Sequence, residues 1–388
     1  MSKITLSVLN YGPELGSAFV TNNKEWAFYG DDNAYPYYLE DLYINSAMNS
    51  AIIKGIGDMI YGEGLDSPDK DAHVDQWLKL QGLFKKDCMK RAAHDLKLYG
   101  NCYFQVIWSQ DRSTIAETNH IPASYVRCGK ADDQDEVPTF YYSTNWAEVN
   151  AGRSEPQPIP AFSTDDRTAA SHLIHIKVYS PIDFYYGIPD YVGSTKYIEL
   201  DKNIAEYHLA SIKNGLFPSM MISFNNGQPT DDERVEMERA INAKFSGAEN
   251  AGRMLIVYND DKENAPTVEP FNIPDPHRLY DYLSKEVSLK VLSGHRVTSP
   301  LLFGLRGDTG FGSNADEMKD AYELMLKTVI LPFQEILLDG IRPVLSAANI
   351  TLPLEFKKLV PAAFMDDEKK TSVVNGPKEF QLVSQRCG

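Results

Sequence analysis

Apolar residues recur at helical spacing from Tyr37 to Ile60, at Leu39, Leu42, Ile44, Met48, Ile52, Ile56 and Ile60. This 3.6-residue period predicts one amphipathic helix, stopped by Gly62 and Gly64. A second helix is predicted from Asp71 to Leu98, closing at Gly100-Asn101. The period then shortens. Cys102–Trp108, Thr139–Tyr142 and Leu173–Val178 are short β-branched and aromatic runs, read as strands. Polar, proline-rich connections such as Glu155–Pro160 separate them, so the middle of the chain reads as a β-rich lobe.

Helical spacing returns after Tyr186-Gly187-Ile188-Pro189, at Tyr191, Ile198, Leu200, Ile204, Tyr207, Leu209 and Ile212, and stops at Asn214-Gly215. Pro189 suits a first helical turn, where its missing N–H is not needed. A β-α-β segment follows: a strand at Ser219–Phe224, a helix capped by Asp231 and reaching Phe245, and a strand at Met254–Tyr258. A helix is predicted over His277–Ser293. A glycine-bearing loop, Gly304–Gly312, leads to a long helix starting at Ser313 or Asn314 and ending near Ala348. Pro332 lies inside that helix and is expected to kink it by removing the bond to the Thr328 carbonyl. The fold class is α+β.

Length and composition narrow the picture. With 388 residues the chain has room for two or three domains, and 43% hydrophobic with 24% charged residues is a globular composition. No run of about 18 apolar residues predicts a transmembrane helix, and Met1–Gly12 has no basic region followed by an apolar core, so no secretory signal is expected. The net charge of −16 argues against a broad cationic face gripping nucleic acid. Leu216–Asp275 is the most acidic block, with five Lys and Arg against eleven Asp and Glu. Cys88, Cys102, Cys128 and Cys387 form no CxxC pair and read as free thiols in a reducing compartment.

Candidate chemistry is sparse. His172 and His175 sit three apart in a predicted strand, where they face opposite sides and cannot share a metal. No HExxH, GxSxG, Walker or EF-hand pattern occurs. Gly304, Gly307 and Gly310 are preceded by a helix and a proline turn, and no Lys-Ser/Thr pair follows, so they read as a flexible loop, not a phosphate cradle. The acidic runs at 132–136, 165–166, 260–261 and 366–368 lack ligand spacing for a hard cation and read as solvated loops. No catalytic residue, metal or cofactor is expected.

Four passages carry a resemblance to phage portal proteins of the siphophage-like type. Residues 175–224 resemble the segment in which a Tyr-Gly-x-Pro turn opens a long helix that ends in Asn-Gly and enters a strand. Residues 231–260 are similar to a helix, an Asn-Ala-Gly turn and a strand. Residues 291–337 resemble an apolar Pro-Leu-Leu step, a glycine loop and a long helix with a mid-helix proline. Tyr99-Gly100-Asn101-Cys102-Tyr103 matches a Tyr-Gly-Asn-x-Tyr strand.

The resemblance implies a ring-forming portal fold. Residues 1–189 would be most of the wing, 190–215 and 276–296 the stem helices, and 216–275 a small α/β clip. Residues 297–313 would be the tunnel loop, 314–360 the long kinked helix and remaining wing, and 361–388 a short crown. It implies a dodecameric ring at the capsid portal vertex of a virion, assembled in the host cytoplasm. Double-stranded DNA would pass through the ring during packaging and ejection. The terminase large subunit, the head-tail adaptor, the major capsid protein and a scaffold protein would be partners, with no membrane. Leu305, Arg306, Asp308, Thr309 and Phe311 would line the tunnel, Lys196, Lys202 and Lys213 would face the stem channel, and Pro332 would mark the kink. Another ring-forming connector and an enzyme of unrecognised class are the competing readings.

Overall fold

The computed structural model describes residues 24–213, 220–224, 254–258, 276–304 and 315–359, with isolated positions between 230 and 239. The chain divides into two compact units: unit 1 holds the residues up to Val192 and from Gly294 onward, and unit 2 is Gly193–Ser293.

Unit 1 begins with α1 (Tyr35–Asn45) and α2 (Ala47–Tyr61). The single helix expected over 37–60 is therefore two. Ser46 is extended, and its side chain accepts from the Asn49 amide at 3.2 Å, capping α2. Asn49 in turn donates to the Leu42 carbonyl at 3.2 Å, which fixes the corner. The helix expected over 71–98 also divides, after the two-residue strand β1 (Leu65–Asp66), into α3 (Val74–Leu83) and α4 (Lys86–Tyr99). Phe84 causes the break. It is buried edge-on against Phe104, and Lys85 after it is extended. Periodicity alone did not reveal either corner, because the apolar spacing runs through both.

Two antiparallel three-stranded sheets follow. The first has the order β3 (Ile115–Ile121), β2 (Asn101–Trp108), β7 (Ser171–Lys177). The second has the order β4 (Val126–Cys128), β5 (Thr139–Tyr142), β6 (Gln157–Pro160). Pro158 and Pro160 offer no N–H along β6, which suits an edge strand. A short α5 (Trp146–Asn150) buries Trp146 against Trp26. Between these elements lies a fully buried Arg127. Its guanidinium donates to the Asn33 side chain and carbonyl and to the carbonyls of Ser124 and Val126, and it stands 4.7 Å from the Trp146 ring. Carbonyls and an aromatic face thus take the place of a carboxylate.

After unit 2 the chain returns through a 3₁₀ turn, Pro300–Phe303, to α8 (Ala315–Met325), a π-helical turn (Leu326–Ile330) and α9 (Leu331–Ala347). Pro332 is the second residue of α9, and the irregularity next to it takes the form of the π turn. α9 packs on β7, and β10 (Glu355–Phe356) closes unit 1 by pairing with β1.

Unit 2 contains α6 (Thr195–Lys213), β8 (Met220–Phe224), β9 (Met254–Tyr258) and α7 (Pro276–Gly294). α6 starts six residues after Pro189, so that proline is not in its first turn. Residues 189–191 are instead held in unit 1, and a 3₁₀ turn, Val192–Ser194, leads into the helix. β8 and β9 pair in parallel from Met220↔Met254 to Phe224↔Tyr258, as a β-α-β crossover requires. Helical positions at 232, 233, 235, 236 and 239 lie between them, and Thr230 donates to the Glu233 carboxylate in a capping-box manner.

Candidate functional site: the junction of two tyrosine–glycine motifs

Tyr99-Gly100-Asn101 ends α4 and opens β2, while Tyr186-Gly187-Ile188-Pro189 leads the chain out of unit 1. The two segments meet. Gly100 adopts φ +72, which closes α4, and its carbonyl accepts from the Val178 amide at 2.8 Å. A side-chain carbon on Gly100 would lie 2.7 Å from the Ile188 carbonyl carbon, and one on Gly187 would lie 2.2 Å from the Gly100 oxygen. Both positions therefore exclude any other residue.

Asn101 is the centre of the junction and is completely buried. Its amide donates to the Tyr29 hydroxyl, the Tyr99 carbonyl and the Gly187 carbonyl at 2.8, 2.9 and 2.8 Å. Its oxygen accepts from the Gly187 amide at 2.7 Å and meets His175 Nε2 at 2.9 Å. One side chain thus satisfies the polar groups of three separate segments. Tyr29 stacks on Tyr186 with centroids 4.0 Å apart and planes 3° apart, and the Tyr186 hydroxyl donates to the Ala27 carbonyl.

A charged cluster lies beside it. Lys97, on α4, is fully buried, and its ammonium donates to Asp190 Oδ1 at 2.6 Å. Asp190 Oδ2 accepts from Arg296 Nη2 at 3.1 Å. Burial pulls the Lys97 ammonium below its ordinary range, and Asp190 opposes that shift. His295, buried, stacks on Tyr191 at 4.5 Å, and its Nε2 meets Asn49 Oδ1 at 2.9 Å. Burial pushes both His175 and His295 well below the usual histidine range, so both are neutral at pH 7.

Cys128, His175 and Asn101 have the order of groups found in thiol hydrolases, with Cys128 Sγ 3.9 Å from His175 Nδ1 and His175 Nε2 on Asn101. The electrostatics oppose that chemistry. Burial raises the Cys128 thiol to about 12, and the neutral, enclosed imidazole has little tendency to take its proton. Tyr103 covers the imidazole ring at 4.4 Å. The arrangement is packing, with sulfur as a small apolar group. His172 pairs instead with Trp108 Nε1, at 3.0 Å, separate from His175 as the strand period requires. Among the described residues no group of three His, Cys, Asp or Glu could hold a metal.

The residues singled out in the sequence lie elsewhere. Leu305, Arg306, Asp308, Thr309 and Phe311 are outside the described residues. Lys196, Lys202 and Lys213 all belong to α6. Lys202 and Lys213 are eleven residues apart and share a face to within about 20°, whereas Lys196 is about 120° around the helix from Lys202. Lys196 is exposed and Lys202 half-buried. Pro332 is exposed and follows the π turn in which Arg296 reaches the Thr328 carbonyl. Sequence reasoning missed Lys97, Asn101, Asp190 and Arg296 as a group. The motifs around Asn101 and Gly187 were visible, but not that they face one another.

The junction lies largely in a segment with known relatives. The model of the family described as phage portal protein matches residues 84–270. Both tyrosine–glycine motifs and all of unit 2 up to residue 270 fall inside the matched segment. The probable portal protein of Haemophilus phage HP1 (strain HP1c1) is 24% identical over 192 residues, covering 50% of this chain and 54% of that protein. The chain spans about half the length of the curated relatives it matches. Two solved structures share the fold more widely. "Neck of empty GTA particle computed with C6 symmetry" matches with a TM-score of 0.57 at 14% identity, covering 88% of this chain and 89% of that one. "Neck of native GTA particle computed with C12 symmetry" matches with a TM-score of 0.55 at 15% identity, covering 88% and 89%. This mixed helix and sheet fold is thus shared with components of particle necks.

Proposed function

We propose that twelve copies of this portal-family chain close into a ring at one vertex of a phage-like capsid, through which double-stranded DNA is packaged and later ejected. The observation that carries the reading is the exposed apolar surface of unit 2. Tyr207 and Leu209 on α6 are 45% and 53% exposed, and Tyr282 and Leu289 on α7 are 65% and 67% exposed. Tyr282 and Leu289, seven residues apart, share one face of α7, whereas Tyr207 and Leu209 lie about 160° apart around α6, so a neighbour on each side would cover them, and a heterologous contact repeated by rotation closes a ring. The C12 neck to which this fold is similar supports twelve as the number.

On this reading α6 and α7 are the stem, the β8–β9 region is the clip that docks the terminase motor and then the head-tail adaptor, and 297–313 is the tunnel loop. A net charge of −16 on each chain gives a wall that repels phosphates, so that DNA slides without sticking, while Lys202 and Lys213 offer local contacts. The role is that of a conduit, with no chemical step assigned to the chain.

Leu289→Asp tests the interface. The aspartate would be desolvated against the neighbouring subunit, so rings should be lost or irregular while the circular dichroism of the chain is unchanged. Normal rings would contradict the placement of α7. In rings of the wild-type interface, a cysteine at Leu305 or Thr309 should crosslink to packaged DNA or to its neighbour. Free reaction with external reagents, with neither crosslink, would place that loop on the outside.

A further inference from the structure

The chain crosses between its two compact units twice, outward after Val192 and back before Gly294. Asp190 stands two residues before the first crossing, and Arg296 two residues after the second. They bind each other at 3.1 Å inside unit 1. Asp190 is also fixed from below by the fully buried Lys97. Arg296 has a second hand: its Nη1 reaches the carbonyl of Thr328 at 3.4 Å, in the π turn. That carbonyl lies four residues before Pro332, which has no amide hydrogen to offer it. Arg296 also adopts φ +58, a left-handed conformation that a non-glycine residue keeps only when its surroundings hold it. Glycine would fit that backbone better, so the guanidinium is what the position requires.

We propose that Asp190 and Arg296 form a latch that fastens the outgoing and returning strands of the chain and ties both to the π turn at Leu326–Ile330. Asp190 and Arg296 supply a two-ended, charge-assisted connection. Arg296 suits it because its planar fork serves a carboxylate and a carbonyl at once, whereas a lysine ammonium on its single stem does not match both directions. A π turn is a site where a helix accommodates local change, so displacement of the two crossings is transmitted to the long helix through Arg296.

Hydrogen–deuterium exchange on the full chain tests the latch, with β2 as the internal reference. Arg296→Gly relieves the backbone strain and removes the guanidinium. It should speed exchange about tenfold at both 190–198 and 324–332, with β2 unchanged. Arg296→Lys should retain protection at 190–198 and lose it at 324–332. The latch is overturned if Arg296→Gly leaves either segment at the wild-type rate, if β2 accelerates equally, or if lysine protects both segments as arginine does. A merely capping role predicts that glycine is neutral or protective, the opposite of the expected result.

Discussion

Replacing Asn101 with leucine is expected to cost at least about 4 kcal/mol, enough to leave unit 1 largely unfolded or insoluble. The leucine fits the volume but none of the chemistry. It would strand the Gly187 amide and His175 Nε2, and it would leave the single hydroxyl proton of Tyr29 to serve both the Tyr99 and the Gly187 carbonyls. Each buried polar group left alone costs about 1–3 kcal/mol. Denaturant titration with tryptophan fluorescence reads the loss, since Trp26, Trp108 and Trp146 are all buried in unit 1. A midpoint close to wild type would show that the two motifs do not depend on this residue.

Asp190→Asn should cost about 3–5 kcal/mol, the usual consequence of removing one partner from a buried ion pair. Lys97 would remain fully enclosed with no counter-charge, beside the rings of Tyr191 and Phe333 at 5.6 Å. The pH dependence identifies the cause. Burial lowers the Lys97 ammonium in the folded state below its unfolded value of 10.5, so the folded state binds fewer protons than the unfolded one. Stability of the variant should therefore rise with pH from the depressed folded value up to about 10.5, and the full penalty should appear below that window. A flat response would remove Lys97 from the explanation. Combining Lys97→Met with Asp190→Leu should recover much of the loss, because an apolar pair of similar volume needs no counter-charge.

These two sites also show what the sequence made legible. Strands Thr139–Tyr142 and Met254–Tyr258 were expected with the bounds they have, since β-branched and aromatic runs between turn residues declare themselves locally. The corners at Ser46 and Phe84 were not, because apolar spacing continues across them and only the buried partners of Asn49 and Phe84 decide where the helix ends. Pro332 was expected to kink its helix; the structure has a π turn just before it, where Arg296 reaches the Thr328 carbonyl, and a contact across 32 residues has no local signature. The junction itself was least visible. Lys97 and Asp190 are 93 residues apart, and Asn101 and Gly187 are 86 apart. No local pattern distinguishes a lysine destined for a core from one on a solvated helix face, and in α4 it occupies a periodic position like any other.

Counting the subunits in the purified, full-length particle tests the central claim most directly. Native mass measurement, together with electron images viewed down the symmetry axis, should give a closed ring of twelve 43.6 kDa chains with an open centre. A stable monomer or dimer that forms no ring under any assembly condition would contradict it.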